Sequence, residues 1–384
     1  MTGARARSDP VIVLVGAGHA HVEVLRSFAV EPAPRLSIVL VTRSRFTPYS
    51  GMLPGLVAGL YGFEEAHVDA RALAAAAGAQ FIEGTVVGLD LAAQQVRCAD
   101  GRTIGYDILS LDIGITPATG EVAGAAEHAI SVKPIDGFLA RFEALLGRVR
   151  AGSVRRIVLV GGGAGGVELA LAVAHRLRRV AGSAGHDPAS VDLRLVTRAA
   201  RILPALPVDA ARRLERHLSS RRVELLCDAR VTGVAADHLR IEGRPPLPAE
   251  AVLWVTEAAA PGWLHGTGLP LDPSGFIAVG AGLDVRGHPG VFAAGDAVHF
   301  GPRDLPKAGV YAVRQGPVLA GNIRRAVLAK PPRPYRPQCE TLVLISTGDR
   351  HAVGTRDGVV VEGHWVWQVK DWLDRRWVKR YRSL

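Results

Sequence analysis

Cysteine is scarce in this chain: Cys98, Cys227 and Cys339 are the only three, and no two lie close in sequence. That excludes a C-x-x-C redox pair and a thiolate metal cluster, so no metal is expected and the thiols read as reduced cytosolic ones. Long apolar runs are also missing. None approaches the roughly 20 residues that a membrane-spanning helix requires. Met1–Pro10 is too short and too polar for a secretory signal. The expectation is a cytoplasmic protein, or one held peripherally on the inner face of the cell membrane. Charged residues make up only 21% of the chain and hydrophobic ones 48%, which excludes disorder and suits a globular α/β protein. The net charge is +10, from 46 Lys+Arg against 36 Asp+Glu. No RNP motif, zinc-knuckle spacing or basic-zipper heptad accompanies it, so the basic balance points away from nucleic acid, toward anionic ligands or an anionic membrane surface.

What is present is a repeated pattern. Val11–Val15 is a continuous apolar run ending in Gly16, Ala20–Val30 has helical character, and Leu36–Thr42 is a second apolar run. This is a strand–turn–helix–strand unit with buried parallel strands. Phe81–Asp90 and Gln95–Cys98 read as short strands, Ala99–Arg102 as a turn, Tyr106–Asp112 as a buried strand and Ile135–Val149 as a helix. Arg156–Val160 then ends in glycines and the unit recurs: a helix to about Arg179, a polar loop Ala181–Ser190, and a strand Val191–Thr197. Strands are expected at Ala251–Thr256 and Val291–Ala294 and a helix from Gln315, with Pro331–Pro337 as a linker to a C-terminal module.

Gly16 and Gly18 stand directly between a strand and a helix. Gly16 permits a tight turn, Gly18 lets backbone approach a pyrophosphate, and the helix N-terminus offers N–H groups to that anion. His21 replaces the third glycine of the fingerprint, and no acid ends the next strand, where Thr42 and Arg43 stand. Far along the chain, Pro289–Asp296 is an apolar strand ending in Gly295-Asp296, the kind that brings a carboxylate to a flavin's ribityl chain. The pair of features points to FAD. The second turn carries the full fingerprint at Gly161, Gly163 and Gly166, for a nicotinamide nucleotide. Its following strand also lacks the acid that selects NAD. Arg198 and Arg201 offer charge to a 2′-phosphate, so NADH and NADPH both stay open. Glu168 follows on the helix; its charge suits the helix dipole, and the sharper reading places it at the flavin–nicotinamide junction.

Together the two glycine turns, Leu111–Pro117 and the Gly-Asp strand resemble the FAD-dependent pyridine nucleotide-disulfide oxidoreductase superfamily. Within it the chain looks most like type II NADH:quinone dehydrogenases and sulfide:quinone reductases. Gly18–His21, Thr47–Gly55, Lys307–Ala312 and Leu344–Asp349 are similar to a flavoprotein subgroup often fused to selenide water dikinase. The resemblance implies two Rossmann-like dinucleotide-binding domains of the glutathione-reductase type plus a small C-terminal module. The boundaries expected are 1–118 with 276–330 for FAD, 119–275 for NAD(P) and 331–384 for the module. It also implies that Gly16, Gly18, His19 and Ala20 hold the FAD pyrophosphate and that Val86 meets the adenine. Pro48 and the Ser50–Pro54 stretch, with Leu53, border the isoalloxazine ring. Asp112 and Gly114 line the site, Gly295 and Asp296 meet the ribityl chain, and Ala308, Gly309 and Val310 offer N–H groups to the flavin pyrimidine. Lys133 and Lys307 would add positive charge near the ring. Glu257 departs from the family, which has glycine there, and would hinder the nucleotide or alter its preference.

The last 20 or so residues, from Gly363, form an amphipathic helix with Val366, Val369, Leu373, Trp377 and Tyr381 on one face and Trp365 and Trp372 beside it. Arg375, Lys379 and Arg382 lie opposite, while Lys370 and Arg380 intrude on the apolar side. Such a helix suits peripheral contact with a membrane; a cap on the flavin domain or a homodimer contact is the alternative. The function expected is transfer of hydride from NAD(P)H to FAD and of electrons to a small-molecule acceptor, a quinone. A selenium or sulfur compound as acceptor, or a redox-sensing role with an impaired nucleotide site, is the alternative.

Overall fold

The two apolar runs that end in glycine each become the central strand of a five-stranded, wholly parallel sheet. The first sheet runs Val291–Ala293, Ile108–Leu111, Val11–Val15, Ser37–Thr42, Gln80–Glu83. The second runs Ala129–Ser131, Ala251–Trp254, Arg156–Val160, Asp192–Val196, Val223–Leu226. This is a computed structural model, and it describes residues 9–120, 122–187, 189–256, 258–339 and 341–384. Strands buried on both faces are continuous in Val, Ile and Leu, which is why these runs were legible. Each central strand leads through its glycine turn into a helix, His19–Val30 in the first half and Ala164–Ser183 in the second. Each half also carries a three-stranded antiparallel meander, Val86–Asp90 to Thr103–Gly105 and Val231–Val234 to Leu247–Pro248. The expected α/β architecture of two Rossmann-like units is the one observed.

Several elements differ from expectation; among them, Phe81–Asp90 divides into Gln80–Glu83 and Val86–Asp90, in separate sheets. The helix expected from Gln315 starts six residues earlier and spans Gly309–Val327, with Pro317 inside it. A proline after glycine reads as a helix start; here Gly316 is needed instead for close packing, since a Cβ there would lie 2.7 Å from Glu23 Cβ on the neighbouring helix. The helix expected to end near Arg179 continues to Ser183. Pro331–Pro337 is no free linker: the Tyr335 N–H donates to Ala281 O at 2.7 Å, and the Asn322 side-chain amide donates to Gly282 O and Arg333 O, both at 2.8 Å.

The C-terminal module is an antiparallel sheet, Val343–Ser346, Ala352–Arg356 and Val359–Gly363, followed by the helix His364–Arg382. Val378 and Tyr381 join the core of the first half, while Ile345 and Val353 join that of the second. The module therefore straps the two halves together. Its helix is rotated relative to the expected face. Val366, Lys370, Asp374, Val378 and Tyr381 are buried, whereas Val369 and Leu373 are 40% and 39% exposed. Lys370 and Asp374 pair at i,i+4 (2.7 Å), and the Lys370 ammonium also donates to Gly51 O at 2.7 Å. A lysine on the apolar side of a helix is tolerated there when partners on both sides satisfy its charge.

Candidate active site

The first turn is built around Asp112. Gly16 has φ +86, and a Cβ on it would lie 2.3 Å from Asp112 O. On Gly18 or Gly295 a Cβ would lie 2.3 Å from Asp112 Oδ1. Asp112 Oδ2 accepts from the Ala20 and His21 N–H groups at 2.8 and 3.0 Å, so it occupies donors of the helix N-terminus. Burial pushes its carboxyl up to about 7 despite those bonds, and the charge of Asp296 adds to the rise. His21 fills the place of the third glycine. Its Nδ1–H donates to Gly16 O (2.6 Å), which leaves Nε2 to accept from the Ser110 hydroxyl (2.8 Å). Burial lowers its pKa to about 4, so the ring is neutral.

Beside this turn lies an aromatic cluster. His19 sits edge-on to Tyr49 and Trp377, which stack on each other at 4.1 Å. His19 Nε2 is shielded from water and has no hydrogen-bond partner. Burial lowers its pKa to about 4, with Asp296 opposing and Lys133 assisting. The helix Gly309–Val327 opens at the same place: its N-cap, Ala308, supplies no side-chain cap, and a Cβ on Gly309 would lie 3.1 Å from Ser50 Oγ and 3.8 Å from His19 Cε1. The Lys133 ammonium pairs with Asp296 at 3.1 Å. The Lys307 ammonium donates to Val298 O and lies over the Phe276 ring at 3.7 Å, and burial lowers its pKa.

The remaining expected residues of this half are spread along the sheet. Thr42 O accepts from the Gly84 N–H at 2.9 Å, Arg43 is exposed, Pro48 pairs with His67, and Leu53 and Val86 are buried. Gly114 has φ +71 and faces open space.

The second turn is bare backbone. Gly161 has φ +134, and a Cβ there would lie 2.4 Å from Val255 O. On Gly166 it would lie 1.9 Å from Gly161 O, so the third glycine is compulsory here. Gly163 caps the helix without a side chain and has open space around it. Arg198 is exposed just beyond the strand Asp192–Val196. Arg201 corrects an expectation: its guanidinium donates to the carbonyls of Ile202, Leu203, Pro204 and Leu206 at 2.9–3.2 Å, bracing its own loop rather than awaiting a phosphate. Glu257 lies outside the described residues.

Glu168 turns toward the C-terminal module. Its Oε1 accepts from the Ser346 N–H at 2.8 Å and lies 3.8 Å from the Lys370 ammonium. Burial raises the Glu168 pKa against the opposing charge of Lys370. Burial pulls Lys370 down, but Glu168 and Asp374 outweigh it and hold it above its ordinary value. Lys370 therefore stays charged, and Glu168 is the member able to take up a proton. Tyr49 joins the group: burial, then Asp374, raises its hydroxyl. Sequence reasoning set Lys370 and Trp377 on the apolar side of the helix but missed Tyr49 and Asp374 as their partners; the i,i+4 Lys–Asp pair inside an aromatic-rich helix was the available signal.

The family model described as pyridine nucleotide-disulphide oxidoreductase matches residues 10–316. Among curated proteins, the chain is 25% identical over 304 residues to demethylphylloquinone reductase NdbB of Synechocystis sp., covering 76% of this chain and 70% of that one. Among solved structures it resembles NDH2 of Plasmodium falciparum in complex with NADH, with TM-score 0.82, 13% identity and 97% of each chain covered. It also resembles the sulfide:quinone oxidoreductase of Aquifex aeolicus, with TM-score 0.79, 17% identity, and 97% and 92% covered.

Proposed function

The chain belongs to the pyridine nucleotide-disulphide oxidoreductase family, and from that premise we propose that it is an FAD-dependent enzyme that oxidises NADH or NADPH and reduces a quinone. The relatives named above include quinone-linked enzymes and one with bound NADH. The observation that carries the reading is the doubled strand–glycine turn–helix on two like sheets, with Asp296 delivered beside the first turn.

The residues fit a flavin dinucleotide. Gly16 and Gly18 bring bare backbone to the end of the central strand, the helix at Gly309 opens without a side-chain cap, and His19 Nε2 is a covered nitrogen with no protein partner. Bound FAD supplies two-electron chemistry, accepting hydride from the nicotinamide and passing electrons onward. Gly18 and His19 would hold its pyrophosphate, the Ala20 N–H being already bound to Asp112; Asp296 would meet its ribityl hydroxyls, and the Gly309 helix N-terminus would stabilise negative charge on the ring. Lys133 keeps Asp296 oriented. Gly161, Gly163 and Gly166 would hold the nicotinamide nucleotide, with Arg198 near its ribose. The division into 1–118 with 276–330, 119–275 and 331–384 follows from the same assignment. Quinone reduction consumes protons, and Glu168 beside charged Lys370 is placed to hold one and to recover it through the polar group formed with Asp374 and Tyr49.

A quinone is a lipid-phase substrate, and the C-terminal helix shows an outer apolar face. Trp365 and Trp372 are 55% and 56% exposed beside Val369 and Leu373, with Arg376 over the Trp372 ring. No helix among the described residues is long and apolar enough to cross a membrane. This face would lie in the interface of an anionic bilayer.

The test is anaerobic stopped-flow mixing of the yellow protein with NADH and NADPH separately, followed by a screen of soluble quinones. Rapid loss of the visible absorbance with one nucleotide, and its return on adding quinone, is expected. Absorbance unchanged by both nucleotides overturns the proposal.

A further inference from the structure

His217, His351 and Glu362 meet where the C-terminal module touches the second half. His217 is in the last turn of the helix Val208–Ser220. His351 lies in the turn between the strands Val343–Ser346 and Ala352–Arg356, and Glu362 comes just before the C-terminal helix. One ring nitrogen of each histidine and a carboxylate oxygen of Glu362 lie within 4.8 Å of one another, and all three residues are partly shielded. His217 Nε2 is 2.6 Å from Glu362 Oε1, and the two imidazoles are 5.0 Å apart.

An ion pair between His217 and Glu362 would explain two of the three residues. It leaves His351 unexplained: its Nδ1 is covered and has no hydrogen-bond partner. A covered, unpartnered acceptor is costly unless something fills its place. We propose that His217, His351 and Glu362 bind one zinc-class divalent ion that clips the C-terminal module to the second half. Two imidazoles and one carboxylate are the donor set of such ions and leave a further position for water. Magnesium and calcium, which take oxygen ligands, are excluded by the same donors.

The neighbouring charges permit the ion. Arg213 and Arg216 approach Glu362 Oε2 at 3.6 and 3.8 Å, but Arg213 is also paired with Asp209 and Arg221 with Asp349. When Nε2 of His217 takes the metal, its ring proton moves to Nδ1. Arg221 then gives up its 3.2 Å contact with Nδ1 and keeps its bond to the His217 carbonyl. Glu362 lies two residues before the helix that carries Lys370 and Asp374, so the clip anchors the base of that helix.

The experiment uses the tag-free, full-length, flavin-loaded protein, stripped with chelator and titrated with zinc chloride against a chromophoric chelator. One tight zinc per chain is expected, unaffected by excess magnesium or calcium. His351→Ala and Glu362→Gln should each weaken it by at least the roughly 100-fold that loss of outer-shell partners reaches, with unchanged flavin content and far-UV circular dichroism. X-ray absorption of the wild-type zinc form, which needs no variant, should show two imidazole ligands. Equal affinity in wild type and variants, no retained zinc, or an oxygen-only shell overturns the proposal. Because the readout is metal binding, it stands or falls apart from the quinone reductase reading.

Discussion

The two glycine turns share topology and position yet solve the same packing problem in opposite ways. In the second, Gly161 and Gly166 let the segments touch through backbone alone; the first fills the gap with His21 and sets a buried carboxylate, Asp112, beneath the helix. The correspondence extends along the helices. Glu23 and Glu168 each lie five residues after the capping glycine of their helix, Gly18 and Gly163, and each grips the C-terminal helix. Glu168 meets Lys370 near its start, while Glu23 accepts from Arg380 and the Tyr381 hydroxyl near its end, at 3.0 and 2.9 Å. A doubled scaffold thus keeps its backbone plan while the side chains at matching positions diverge in role.

The largest effect should come from Gly166→Ala. Its Cβ would meet a carbonyl at 1.9 Å with no side chain able to yield. A loss of about 3 kcal/mol or more by urea unfolding is expected, with loss of nicotinamide-driven reduction in stopped flow. Gly18→Ala should cost somewhat less, about 2 kcal/mol, because the clashing atom belongs to the Asp112 side chain. Asp112→Ala in the same background should recover part of that loss. No recovery would show that the clash lies elsewhere.

Asp112→Asn sharpens the contrast with a change of opposite sign. A carboxyl raised to about 7 binds a proton on folding. Its stabilising contribution is complete below about pH 4 and is lost as the pH rises through 7. The variant keeps an acceptor for the Ala20 and His21 amides but escapes that loss. It should match wild type near pH 4 and exceed it by up to about 4 kcal/mol at pH 8. His19 and His21, lowered to about 4, add a loss of stability at low pH that tilts both proteins alike. FAD affinity, read by fluorescence, should rise in the variant at pH 8 as a negative charge leaves the pyrophosphate site. A gap between the proteins that does not change with pH would sink this account.

The matching glutamates should separate by readout. Glu23→Gln strands parts of Arg26, Arg380 and Tyr381, and should cost about 1–2 kcal/mol with little change in turnover. Glu168→Gln keeps an acceptor for the Ser346 N–H and should slow steady-state quinone reduction about 10-fold or more, leaving the nicotinamide half-reaction near normal. Equal effects on both readouts would dissolve the distinction.

The turns, the central strands and the delivery of Asp296 were legible because each rests on backbone demands that few residues meet. A positive φ or a close carbonyl approach selects glycine, and burial on both faces selects unbroken Val, Ile and Leu. The partners of Lys370 were not legible. Periodicity sets this lysine on the apolar side only as an intrusion, and the groups that satisfy it there, Gly51 and Glu168, come from distant segments. Arg201 misled for a related reason: a guanidinium at a strand end suits a phosphate by type, and only the path of its loop shows four carbonyls already holding it. The strap across both halves is likewise a long-range fact, since the composition of the C-terminal helix reads equally well for lipid or protein.

The smallest change in stability, and the sharpest comparison, belongs to Gly163→Ala. Gly163 is the counterpart of Gly18, capping its helix in extended backbone at φ −75, which any residue adopts. Unlike Gly18 it has nothing within 4 Å of a built Cβ. Alanine there should change the unfolding free energy by no more than about 0.5 kcal/mol and leave FAD bound. The methyl group would instead stand in the open space over the turn, where the nucleotide's pyrophosphate would approach the backbone. The KM for NADH should therefore rise with kcat largely kept, the pattern of lost ground-state binding. If Gly163→Ala unfolds as readily as Gly18→Ala, the space above the second turn is filled by protein and the two turns are alike after all. If it leaves both stability and KM untouched, the nucleotide does not dock on this turn, and the pairing of one turn with each dinucleotide fails.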